Sequence, residues 1–156
     1  MGYTLYWYRE KTVDQAVFQR MLDDFKKILP EIDRSEVVLA GPDGEGLPMI
    51  NEYGVSFNGK CESQGCCESF NFVQDLIFVY HQPRKRNGKY FQYAKTGGLP
   101  YGLAAAAFLI IAKQYLRDQI TVSSDAPLPD WDKPRRWCQR ILGFGSEFLP
   151  ESDFEE

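Results

Sequence analysis

The sequence predicts an α+β domain: a largely antiparallel sheet, two long helices (12–29 and 99–116) packed on one face, and a shorter C-terminal helix. Three observations carry this. Short β-favouring runs bounded by Gly, Pro, Asn and Asp follow one another between two apolar-periodic segments. Consecutive strands without intervening helices pair antiparallel, unlike a doubly wound nucleotide fold. And 156 residues, 44% apolar and 15% aromatic, are enough for one domain with its own core and too apolar for a disordered chain.

The first strand is read at Tyr3-Thr-Leu-Tyr-Trp-Tyr-Arg9, rich in aromatic and β-favouring types. Thr12 and Gln15 have the spacing of a capping box. From there Val17, Met21, Leu22, Phe25, Ile28 and Leu29 form one apolar stripe, until Pro30 is expected to end the helix. Strands follow at Glu36–Ala40, Tyr53–Asn58, Glu68–Val73, Leu76–Tyr80 and Lys89–Ala94, the first closed by the turn Gly41-Pro-Asp-Gly-Glu-Gly46. Asn87-Gly88 is a hairpin signal. The segment from Leu99 to Leu116 is apolar nearly all round, which marks a buried central helix with Pro100 in its first turn. Gln119–Ser123 reads as the last strand, and Asp130 caps a final helix that Gly143 stops.

The net charge of −4 is uneven: Glu147, Glu151, Asp153, Glu155 and Glu156 have no basic partner after them, which leaves +1 for residues 1–146. The expectation is a domain over 1–146 and a flexible acidic tail over 147–156. The near-neutral domain argues against nucleic acid as partner. The longest uncharged run, Leu99–Ala112, is too short to span a membrane, and charges at Arg9, Glu10 and Lys11 interrupt any signal-peptide core. A cytoplasmic protein with reduced thiols is expected. Cys61, Cys66, Cys67 and Cys138, with His81 as the lone histidine, lack zinc-site spacing, so no metal or other cofactor is implied. The Cys61–Cys67 cluster could cross-link under oxidation, and Cys138 reads as a buried small apolar residue. His81 has no Ser or Cys at triad spacing. Arg84-Lys85-Arg86 with Lys89 reads as a solvated hairpin tip, which Lys133, Arg136 and Arg140 of the last helix could extend.

The chemistry-bearing stretch is Tyr93-Ala-Lys-Thr-Gly-Gly-Leu-Pro-Tyr101. A strand ends in Lys95 and Thr96, Gly97 and Gly98 free the backbone, and a helix N-terminus, which attracts anions, follows. The spacing is not that of a P-loop. Asn58 and Ser124-Asp125 end two other strands. If these ends share one rim, an amide, an ammonium, hydroxyls and a carboxylate face one cleft, with Tyr101 or Trp131 as a stacking surface. Lys95-Thr96, Pro100-Tyr101, Ser123-Ser124-Asp125, Asp130-Trp131 and Phe57-Asn58-Gly59 together resemble a family of small bacterial and phage-type proteins with no established activity. The resemblance implies that these motifs form one site and supplies no reaction. It departs from the family at Gly102 and Ala126, where Asp and Gly are usual.

The leading expectation is binding, to sense or sequester, of a small phosphate-bearing anion such as a nucleotide or cyclic nucleotide signal. Its ligand-binding residues are Asn58, Lys95, Thr96, Gly97, Gly98, Tyr101, Ser124 and Asp125. Two alternatives stay open. One is an enzyme acting on a phosphate ester or glycosidic bond, with Asp125 or Glu68 as acid or base. The other is a protein-interaction module pairing through the aromatic strand edge of Tyr6 and Tyr8. A homo-oligomer is compatible with all three.

Overall fold

A computed structural model describes residues 3–79 and 81–151. Strands β1 (Thr4–Arg9), β6 (Lys85–Arg86), β7 (Lys89–Lys95) and β8 (Ile120–Ser124) form one antiparallel sheet in the order β6-β7-β1-β8. Strands β2 (Leu39–Ala40), β3 (Met49–Asn51), β4 (Gly54–Gly59) and β5 (Phe70–Val73) form a second. The expected single sheet is thus two. The reason lies in edges: β1 uses both of its own on β7 and β8, while β4 pairs with β2, β3 and β5. Strand β1 is therefore interior, so the aromatic strand of Tyr6 and Tyr8 is not a sheet edge.

Helix α1 spans Gln15–Arg34, with Asp14 as its N-cap, accepting from the Ala16 and Val17 amides. The capping box expected at Thr12 does not form; Thr12 instead bridges to Asp75. Pro30 does not end the helix. It lies exposed inside it, where its missing N–H frees only a carbonyl that water can reach, and Ile32 extends the buried stripe one turn past Ile28. Helix α2 (Tyr101–Leu116) is buried on almost every side, as its composition predicts. Helix α3 (Asp132–Leu142) ends on Gly143 in the left-handed region at φ 86°.

A layer of aromatics joins the parts. Trp7 of β1 packs on Phe70 and Phe72 of β5, with ring centroids 5.2 and 6.1 Å apart. Phe108 of α2 meets Phe25, Phe70 and Phe72. Arg9, fully buried, bonds to the carbonyls of Glu10, Lys11, Val73 and Gln74 and lies over the Phe72 ring. Arg140 reaches Glu31 at 2.6 Å and ties α3 to α1.

Leu76–Phe78, expected within a strand, is a single 3-10 turn capped by Asp75, whose carboxylate accepts from the Ile77 amide. Only Leu76 of it is buried, so the apolar run has no second buried face to occupy as a strand; Tyr80 lies outside the described residues. Asn87 and Gly88 both take positive φ, as the hairpin turn requires. Of the acidic C-terminal segment, Phe148 packs against Trp131 and the Glu151 amide donates to Val122. Residues 152–156 lie outside the described set. Among the described residues no helix is long and apolar enough to cross a membrane.

Candidate functional site

Where β1, β8 and the start of α2 come together, a cleft of about 530 Å³ opens. Its apolar walls are Leu5, Val37, Leu99, Leu103, Ala106 and Trp131, and its polar groups are Ser35, Glu36, Thr96, Ser124, Asp130 and Lys133. That volume lies within the range of small-molecule sites, which are mostly apolar with a few placed polar groups.

The Thr96-to-Tyr101 turn builds one wall. Gly97 and Gly98 adopt φ 67° and 74°, a left-handed pair that side chains with a Cβ resist. At Gly98 a Cβ would also stand 3.0 Å from the Tyr3 ring. Thr96 donates through Oγ1 to the Tyr3 carbonyl at 3.0 Å, leaving its lone pairs free to accept. Gly102 follows one turn on. A Cβ there would sit 2.8 Å from Thr96 Oγ1, so any larger residue at 102 must displace that hydroxyl. Ser124 Oγ accepts from the Ala126 amide at 3.0 Å and keeps its own proton to donate.

The opposite wall is Ser35–Val37, just past α1. The Val37 amide donates to Ile32 O and the Glu36 amide to Asp33 O, the paired bonds of a Schellman ending. Glycine usually occupies the left-handed position of this motif; here it is Glu36, at φ 66°. Such strain clusters at functional sites.

The cleft takes in Thr96, Gly98 and Ser124 of the expected ligand-binding set, together with Pro100, Asp130 and Trp131 of the same motifs. The others serve elsewhere. Asn58 is buried, and its amide brackets a loop: Nδ2 donates to Cys67 O at 2.8 Å, while Oδ1 accepts from the Gly59 and Cys67 amides. Asp125 Oδ1 accepts from the Thr4 amide at 2.7 Å, and Glu68 Oε1 from the Lys95 amide at 2.8 Å. The Tyr101 hydroxyl donates to Glu68 O, and burial pushes its phenol well above the ordinary tyrosine range. Lys95 and Gly97 are exposed and off the lining. At the start of α2, the Gly102 and Leu103 amides already donate to Leu99 O and Pro100 O. Two acids and one cation, Lys133, line the cleft.

The Ser35–Val37 wall and Lys133 have no motif in the sequence. The only signal for Glu36 would be the Schellman pattern, which a proline-terminated helix at Pro30 hides. The expectation of reduced thiols fails for Cys61 and Cys66, which form a disulfide inside the cluster expected to cross-link on oxidation; Cys67 is an exposed free thiol, and Cys138 is buried as expected. Proximity explains the pairing, because three amides converging on Lys60 O fold the loop back on itself. Comparison with protein-family models, curated proteins and solved structures finds no match to this chain.

Proposed function

We propose that the protein binds a small organic molecule in the cleft between β8, the start of α2 and the Ser35–Val37 wall, sensing or sequestering it. The carrying observation is the lining. An apolar slot runs between Leu99, Leu103 and Val37, with hydroxyls of Ser124 and Thr96 on one side and Glu36, Asp130 and Lys133 around it. A flat apolar body bearing a neutral or cationic head suits this slot, because acids outnumber cations two to one. The reading treats α1 and α2 as one layer over the inner face of the β1 sheet, supported by the burial of Leu5, Trp7, Ile120 and Val122.

A phosphate-bearing ligand such as a nucleotide is the second reading, favoured by Lys133 on the lining. Lys95 gives it little support, because it lies off the cleft, and so do the Gly102 and Leu103 amides of α2, which are already bonded. Asp125 and Glu68, each held by a backbone amide, lend little to an enzymatic role.

Thermal unfolding with tryptamine, indole and adenosine monophosphate tests the choice. Tryptamine should raise the melting temperature most, and Leu103→Trp, which fills the slot, should abolish the rise. A rise that persists in Leu103→Trp places the ligand elsewhere. A larger rise with the nucleotide selects the second reading.

A further inference from the structure

We propose that the Cys61–Cys66 disulfide is a redox-sensitive clasp on the walls of this cleft. It rests on the small-molecule reading for its purpose, though not for its mechanics. The disulfide closes a ring that contains Gln64 and Gly65. Gln64 reaches the Ser35–Val37 wall from inside that ring: Nε2 donates to Glu36 O at 2.5 Å, and Oε1 accepts from the Val38 amide at 3.0 Å. The amide thus grips the backbone on both sides of Val37, a lining residue, and holds Glu36 in its left-handed conformation.

Gly65 leans on the other wall. A Cβ at Gly65 would stand 3.1 Å from Leu99, whose side chain lines the cleft. One short ring therefore supports both sides of the slot. Inside the ring the Ser63, Gln64 and Gly65 amides all share the single acceptor Lys60 O, while the bonds of the Cys61 amide to Gly44 O and of Asn58 to Cys67 hold only its two ends. The fold also makes room for the bond: a Cβ at Gly44 would fall 2.1 Å from Cys61 Sγ.

Both sulfur-bearing residues are exposed, so a soluble thiol can reach them. The thiolate of a dithiol attacks one sulfur and forms a mixed disulfide, and the other cysteine leaves as thiolate. The second thiol of the reductant then displaces the first cysteine. Two electrons and two protons pass to Cys61 and Cys66, and the dithiol ends as a cyclic disulfide. Freed from the ring, Gln64 loses its fixed position, the Val38 amide loses its acceptor, and the walls loosen.

Amide hydrogen exchange of the full chain by NMR, with and without dithiothreitol, tests this directly. Reduction should speed exchange at Val38 and Gly65 at least tenfold while β1 amides such as Trp7 stay protected. Gln64→Met, which keeps the disulfide and removes the grip, should speed Val38 alike in both redox states. In parallel, tryptamine should bind the reduced chain at least tenfold more weakly. Unchanged Val38 exchange on reduction overturns the clasp, whatever tryptamine does, and so does loss of protection throughout β1. Faster Val38 exchange in a protein that binds none of the three probes supports the clasp and refutes the small-molecule reading instead.

Discussion

Asn58→Ala separates a structural role from a ligand contact at a residue whose type suits either. The Asn58 amide makes three well-formed bonds: to Cys67 O at 2.8 Å, and from the Gly59 and Cys67 amides at 2.7 and 3.1 Å. Longer contacts reach Pro42 O and Ser69 Oγ at 3.3 Å. Truncation strands the Gly59 amide, which lies in the fully buried β4, and removes the partner of the Cys67 N–H and C=O. Each stranded buried group costs about 1–3 kcal/mol, and partial relaxation lowers the sum. The expected loss is about 2–4 kcal/mol, which for a chain of this size lowers the melting temperature by roughly 5–15 °C. Asn58→Asp keeps both acceptor contacts, loses the donor to Cys67 O, and should fall between. Thermal unfolding followed by circular dichroism reads all three proteins. A melting temperature for Asn58→Ala within about 1 °C of wild type would refute the structural assignment.

Arg9→Met should destabilise by about 3–5 kcal/mol in urea unfolding, since it leaves four carbonyls without their shared donor; a loss under about 1 kcal/mol contradicts this. Glu36→Gly should raise stability by about 0.5–1 kcal/mol, the relieved left-handed strain exceeding the added chain entropy, and any loss would show the strain is absent. Cys138 should resist iodoacetamide at pH 8 while Cys67 reacts. Burial, then the nearby Asp24 charge, pushes the Cys138 thiol up to about 12, leaving a thiolate fraction on the order of 10⁻⁴. The native state thus holds that proton: its contribution to stability is intact below the ordinary thiol value of 9.0 and is lost as pH rises through about 12. Labelling of native Cys138 as fast as Cys67 would contradict the assignment.

Periodicity reads well where one force dominates. The stripe from Val17 to Ile28 and the all-round apolar α2 are both set by burial, and both appear as expected. Errors fall where two readings share a composition. Pro30 on an exposed face does not break a helix that Ile32 can extend. Leu76–Phe78 has strand-like residues, but Asp75 turns it into a cap. The partition into two sheets depends on which strand takes the edges of β1 and is not written in any local pattern. The site divides in the same way. Thr96, Gly98 and Ser124 were legible because strand ends and glycines mark a rim. Asn58 and Tyr101 carry groups equally suited to ligands and to buried backbone, and only their partners distinguish the two. The Ser35–Val37 wall arises from a left-handed glutamate that propensity disfavours.

The proposed ligand site is the cleft bounded by Val37, Thr96, Leu103 and Ser124. NMR titration of the amide spectrum with tryptamine tests it most directly. Saturable shifts should cluster at Val37, Thr96, Ser124 and Trp131, all on the lining, and vanish in Leu103→Trp. Shifts confined to the Arg84–Lys89 hairpin, or a pattern unchanged by Leu103→Trp, would contradict the account.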